Sequence, residues 1–475
     1  MRSDALTDAT AVALAAAIRR REVSPLEVLD ACLAAVDDRN DRVNAVIWRN
    51  DDEARAAARA STEEVARTDP DDLPPFCGVP LPIKDLTPVA GWPVTYGSWA
   101  APAGPSEESE LVVEALRAAG FVLSGRTNTP EFGPITAAEN DRYGVSRNPF
   151  DLDRTPGGSS GGAAAATAAG LYPLAHGNDG GGSIRIPASC CGLVGLKVSR
   201  GRVPSLVMAW EGGAVEGVVT RDVADTAAVL DLISGPDRRC WYNAPAPERP
   251  FAAEVGTPPG RLRVGLATGA PLDLPVAPAC AEAARAAAAA LEGLGHEVVP
   301  VDLTLPDEVL PAFLNIVNTG LADYPGVDWA RAEPHIQAAR AAAQGVDSLT
   351  YVASVHELQR FTRSTVGRWG AEFDVLVTPT MTIEPPRAGE VLAAAHEAAG
   401  GTALPVLQMA VLTSMFNVSG QPAVSLPCHR SPSGLPIGVQ VVAGPFEEAR
   451  LLRVASQLEQ ALPWAGLTPI VPGPG

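Results

Sequence analysis

Short apolar segments alternate with alanine-rich helical stretches along most of this 475-residue chain. That recurrence points to helices layered around a mixed sheet. Residues 4–70 read as a helical arm. Within it, Ser24-Pro25-Leu26-Glu27 forms a capping box with proline at the first helical position, followed by apolar spacing at Leu26, Val28, Leu29, Cys32, Leu33 and Val36. After a polar, proline-bearing connection over 68–75, an apolar run over 76–83 reads as a strand that delivers Lys84 at its end. The pattern predicts a helix over 109–119 and a strand over 121–124, then a strand over 263–266, a helix over 280–294 and a strand over 296–301. Strands over 375–377 and 437–442 and a helix over 446–458 follow. Residues 304–372 lack this rhythm; they are helical in tendency and carry Asn315, Asn318, Asp323, Tyr324, His335 and Tyr351. The expected organisation is an arm over 1–70, a core over 71–303, a helical substrate-side insertion over 304–372 and the rest of the core over 373–475, with a loose tail from 469.

Hydrophobic residues make up 46% of the chain and charged residues 19%, which suits a folded globule. A formal charge of −19 argues against nucleic acid or an anionic membrane as partner. The cationic run Arg19-Arg20-Arg21 closes an amphipathic helix and is too short to reverse that. It also follows the apolar stretch, with Asp4 and Asp8 early, which is the wrong polarity for a signal peptide. No window has the length of uninterrupted apolar sequence that a membrane span needs. The seven cysteines form no CxxC pair, so reduced thiols in the cytoplasm are expected. The six histidines lie far apart and form no ligand motif, so neither a metal nor another cofactor is expected.

The cationic residues number 36, of which only Lys84 and Lys197 are lysines. Both fall in the stretch that holds the densest glycine and serine clusters. Arginine does not give up its proton in a protein, whereas a desolvated lysine does. Two glycine loops lie between these lysines: 157–162 (GGSSGG) and 177–183 (GNDGGGS). Consecutive glycines expose backbone N–H groups and admit a ligand to the main chain, so either loop suits an anion or an oxyanion. Neither completes a dinucleotide or P-loop pattern. The first matches G-x-S-x-G, but residues 151–156 before it read as turn where a nucleophile elbow needs a strand. His176 reads as a packed or hydrogen-bonded side chain. Lys84 with the serines of both loops makes a candidate base and nucleophile, because a serine hydroxyl needs a group to accept its proton.

The strings Gly78–Asp85 (GVPLPIKD), 157–162 and 179–188 (DGGGSIRIPA) resemble the amidase signature family, and 126–132, 191–197, 374–380 and 416–422 support the resemblance. It spans essentially the whole chain and is weakest over 304–372. It implies one large α/β domain with a mixed, twisted central sheet and helices on both faces. It further implies Ser183 as nucleophile, Lys84 as base and Ser159, after a cis peptide bond, as bridging serine. Backbone N–H groups of Gly180, Gly181, Gly182 and Ser183 would form an oxyanion hole. Ser160, Asp179 and Arg185 would hold the loops, and Lys197 would be structural.

The segment 176–196 most resembles the branch of nylon-oligomer hydrolases and aryl amidases, some members of which accept carbamates. The expected substrate is a small amide or carbamate, and the expected assembly a monomer or homodimer. Phe132, Met208, Trp210 and Asn318 are candidate pocket residues. Three rivals stay open at this point. A glutaminase subunit of a tRNA-dependent amidotransferase typically carries glutamine where Ile186 stands. A histidine-based esterase would use a residue such as His429, and an anion-binding protein would keep the loops without catalysis.

Overall fold

A computed structural model describes residues 3–465 except 103, 322, 323, 399 and 400, and also 467 and 469. Asp323, and the expected tail beyond 469, lie outside the described residues.

Eight strands form the main sheet, side by side in the order Glu297–Pro300, Arg263–Leu266, Val375–Pro379, Pro436–Val442, Ala423–Arg430, Val194–Lys197, Val215–Thr220 and Ala175–Asp179. The first three run parallel and the other pairings are antiparallel, so the sheet is mixed as expected. Apolar alternation buries Val264, Val375, Val377, Val424, Leu426, Val439 and Val441 in the largest core cluster, against the helices Pro278–Gly293 and Glu448–Ala461.

The strand ending at Lys84, Pro80–Lys84, belongs to a second, three-stranded sheet with Val122–Thr127 and Val46–Trp48. It runs parallel to Val122–Thr127 and packs beside the edge strand Ala175–Asp179 of the main sheet. Its prolines account for the break between the sheets. Val79 O accepts from Val122 N, so residues 79, 81 and 83 face that partner while 80, 82 and 84 face the main sheet. Pro80 and Pro82 have no N–H to donate there, and the Lys84 N–H alone reaches across, to His176 Nδ1 at 3.4 Å.

The arm differs from its all-helical expectation. The helices Pro25–Val43 and Asp51–Arg67 are present, and Ser24 and Glu27 exchange the hydrogen bonds of the capping box. Between them, however, Val46–Trp48 is a strand paired antiparallel with Val122–Thr127. Residues 304–372 hold the helices Val309–Leu321, Pro334–Gln344 and Ser348–Val366 and no strand among the described residues. Among those residues, no helix is long and apolar enough to cross a membrane.

Candidate active site

Lys84 ends its strand completely buried, with Nζ donating to Ser159 Oγ at 2.7 Å and to Asn178 Oδ1 at 2.6 Å. Burial pushes its pKa down to about 7, against the opposing pull of the Glu216 and Asp179 carboxylates. Asn178 was not singled out as a site residue. It lies inside the second glycine loop, but which polar neighbour meets Nζ depends on how Ala175–Asp179 faces Pro80–Lys84. His176 is buried between the two strands, with Nε2 at 2.8 Å from Glu216 Oε2 and Nδ1 accepting from the Lys84 backbone. This is a packed, hydrogen-bonded histidine, as expected.

The first glycine loop brings Ser159 to the lysine. The peptide bond between Gly158 and Ser159 is cis, and a Cβ on Gly158 would stand 2.6 Å from the Ala137 backbone. Ser160 caps the helix Gly161–Ala168; its Oγ donates to Asn178 O at 3.1 Å and its N–H to Ser183 O at 3.1 Å. These bonds tie the two loops together. Residues 151–156 are turn and bridge with no strand, as the sequence indicates.

Asp179 organises the second loop. One carboxylate oxygen accepts from Gly182 N, Arg185 and Asn417, and the other from Ile184 N, Arg185 N and Arg185 Nε. Burial would raise this carboxyl, but the Arg185 guanidinium and the bonds from Arg185 and Asn417 hold it well below the usual carboxylate range. Arg185 spends its other N–H groups on Thr413 O, Gln440 Oε1 and Asn417 Oδ1. Thr413 in turn donates to Gly181 O at 2.7 Å. A Cβ at Gly182, where φ is +125°, would fall 2.2 Å from Thr413 Oγ1, so only glycine fits. The Gly182 N–H lies 2.8 Å from Asp179 Oδ1 and is thereby engaged. This corrects the expectation that Gly182 serves an oxyanion. Lys197 is fully buried and donates to Val198 O at 2.8 Å.

Ser159, Ser183, Asn178 and Gly180 border one cavity of about 460 Å³. Phe132, Met208 and Trp210 line it, as do Tyr96, Tyr324 and Tyr351. Trp210 lies so close to Gly180 that a Cβ there would meet its ring at 2.3 Å, and Gly320 of the helix Val309–Leu321 flanks the same ring. Asn318 is the exception. It lines a separate, smaller cavity with Pro134, Ile135 and His335. On its helix Ile316 and Gly320, four residues apart, face the Ser183 cavity, and Asn318 between them is turned about 200° away. Glu110, Glu211 and Glu216 also reach the cavity; nothing in their local sequence marks them. His429 sits at the far end of Ala423–Arg430 and is not among the lining residues.

The amidase family profile matches residues 27–452, and the chain belongs to the amidase signature family, whose members hydrolyse carbon–nitrogen bonds of amides. It is 39% identical to the 6-aminohexanoate-cyclic-dimer hydrolase of Pseudomonas sp. (strain NK87), over 97% of this chain and 96% of that protein. The solved structure of a 6-aminohexanoate cyclic dimer hydrolase complexed with substrate superposes with a TM-score of 0.90 at 37% identity, covering 98% of this chain and 99% of that one. A bacterial aryl acylamidase of the same family superposes at 0.87 with 26% identity, covering 97% of each chain.

Proposed function

We propose that the protein cleaves amides through a serine acyl-enzyme, with neutral Lys84 as base, Ser159 as relay and Ser183 as nucleophile. The observation that carries this is the 2.7 Å bond from a fully buried Lys84 Nζ to Ser159 Oγ, at a lysine whose pKa is lowered to about 7. A lysine at its ordinary pKa is almost wholly protonated at neutral pH and accepts nothing. Ser183 Oγ gives its proton to Ser159 as the Ser159 proton passes to Nζ, and the serine oxygen attacks the carbonyl. Backbone N–H groups of Gly180, Gly181 and Ser183 meet the oxyanion. The relay returns the proton to the nitrogen, the amine departs, and water activated by the same route releases the acid.

Aromatic walls from Tyr96, Phe132, Trp210 and Tyr324 suit apolar or aryl substituents on either side of the scissile bond. The likeness to a 6-aminohexanoate-cyclic-dimer hydrolase and an aryl acylamidase supports the same range. Linear amides fit within it. A carbamate presents the same carbonyl and nitrogen leaving group, so the same steps cleave a urethane. All seven cysteines are free, which suits the cytoplasm.

The test is labelling by a fluorophosphonate probe together with turnover of an anilide, a linear aliphatic amide, an aminohexanoate oligomer and an N-aryl carbamate. Ser183 in the wild type should label, and Ser183→Ala should neither label nor turn over any amide. The rate should fall about tenfold per pH unit well below the Lys84 pKa. A profile that stays flat down to pH 5 sinks the assignment of Lys84.

A further inference from the structure

Glu333, His335 and His396 come together outside the lining of the Ser183 cavity. Glu333 precedes the helix Pro334–Gln344, His335 is in its first turn, and His396 lies in the last turn of the helix Glu390–Glu397. One nitrogen of each ring and one carboxylate oxygen all lie within 4.8 Å of one another. Glu333 Oε2 is 3.2 Å from His396 Nε2 and 3.5 Å from His335 Nδ1. The histidine rings tilt toward each other with centroids 5.3 Å apart.

His335 needs explaining. It is only 7% exposed, and neither ring nitrogen has a hydrogen-bond partner. An imidazole stripped of water without a partner for either nitrogen gives up hydrogen bonds that the unfolded chain makes to water. His396 Nε2 makes a long hydrogen bond to Glu333 Oε2 and His335 Nδ1 makes none, whereas a charge-assisted pair closes to about 2.7–2.9 Å. The two separations do match another geometry. Two donors held at about 2.0–2.1 Å by one tetrahedral ion stand roughly 3.3 Å apart. The His335–His396 edge closes by a turn of the His396 ring, whose side chain is 26% exposed and has room to move. The other Glu333 oxygen accepts the Asp141 N–H at 2.9 Å, the kind of outer contact that orients a ligating carboxylate. His335 also borders the small cavity beside Ile135 and Asn318, which offers space for a water as fourth ligand.

We propose that Glu333, His335 and His396 bind one divalent transition-metal ion of the zinc class, which pins the helical insertion to the core. The ligand set is two imidazoles and a carboxylate, which favours such an ion over magnesium or calcium. The pinned segment is continuous with the wall of the Ser183 cavity. Phe132, one residue after Glu131, packs at a tilt against the rings of Tyr324 and Trp329 of the insertion, and Glu131 accepts the Glu333 backbone N–H. The expectation of no metal came from six histidines scattered in sequence. The fold brings two of them, 61 positions apart (396 less 335), to one carboxylate.

The experiment uses the full-length chain without a histidine tag, first stripped with a chelator and then titrated with zinc chloride or cobalt chloride. Elemental analysis after gel filtration should find about one equivalent of metal in the wild type and little above background in His396→Ala. His396 is less buried than His335, which makes that variant the safer one to fold. Metal should raise the melting temperature of the stripped wild type and leave His396→Ala unmoved. Cobalt should give the intense visible absorption of a tetrahedral site. Should the wild type retain no metal and show no shift in melting temperature, the site does not exist. Equal binding by wild type, His396→Ala and His335→Gln would also overturn it, by placing the ion elsewhere.

Discussion

Lys84 and Lys197 are both fully buried and both held below the ordinary lysine pKa by burial, but they sit in different surroundings. Lys84 Nζ reaches a serine hydroxyl and an amide oxygen at the edge of the Ser183 cavity. Lys197 Nζ donates to the adjacent backbone carbonyl inside the sheet. Asp179 and Arg185 make a third buried centre of a different kind, an ion pair in which both side chains are saturated with partners. Burial alone therefore does not mark a base. A buried cation with a full set of anionic and carbonyl partners stays charged and holds the loop in place. A buried amine with neutral partners and an adjoining cavity is free to change protonation state.

The sharpest way to break that contrast is Lys84→Met, which keeps the bulk and removes the amine. Amide turnover should fall on the order of a thousandfold or more if Lys84 is the proposed base. Stability should move in the opposite direction, and it should depend on pH. The folded pKa lies near 7, below that of an exposed lysine. Between those values the unfolded chain binds the extra proton, so wild-type stability rises with pH. The methionine variant lacks that linkage. Its advantage over wild type should therefore shrink by on the order of 3 kcal/mol between pH 7 and pH 9.5. Denaturant titrations at the two pH values measure it, and a pH-independent difference would show that Lys84 folds without losing its proton.

Arg185→Met is the counterpart in the saturated centre. It strands the Asp179 carboxylate in the interior, and removing one member of such a pair is worth about 3–5 kcal/mol of stability. Urea unfolding should record a loss of that size at neutral pH, where Lys84→Met should be neutral or stabilising. Lys197→Met conserves volume and gives up one hydrogen bond, and because burial lowers the Lys197 pKa too, it should share the pH-dependent gain in stability of Lys84→Met. What separates the two is turnover: with its amine on the Val198 carbonyl, Lys197→Met should leave the rate and its pH profile unmoved. A Lys197→Met variant that lost turnover while staying folded would erase the distinction between the two lysines.

The same contrast explains what the sequence could reveal. The glycine loops and the capping box were readable because they rest on local rules: consecutive glycines must turn, and Ser24 pairs with Glu27 within one helical turn. The strand Arg263–Leu266 was readable because its apolar residues are bounded by clear loop segments. Val46–Trp48 was not, because three residues between two strong helices carry no period of their own, and only pairing with Val122–Thr127 makes them a strand. Asn318 failed for want of helix phase: the sequence places it on Val309–Leu321 but does not say which face meets the cavity. Gly182 failed because its competing acceptor, Asp179, reaches its N–H through a turn that the string of glycines does not specify. Asn178 and Glu216 belong to neighbouring strands, and their approach to Lys84 follows from strand order alone.

Glu216 provides the finest adjustment. Its carboxylate pulls the Lys84 pKa upward against the larger effect of burial, and it also holds His176 at 2.8 Å. Glu216→Gln removes the charge and keeps an oxygen able to accept from His176 Nε2. With the charge gone, the ammonium form of Lys84 loses support and the lysine deprotonates at lower pH. If Lys84 is the base, the acid limb of the pH–rate profile should therefore move to lower pH, by less than about one unit for a charge acting over this range. The rate at the plateau should stay within a few fold of wild type, since Glu216 takes no proton from the serines. An unmoved limb would mean that the titrating group is not Lys84. A shift to higher pH would contradict the direction in which Glu216 pulls on Lys84.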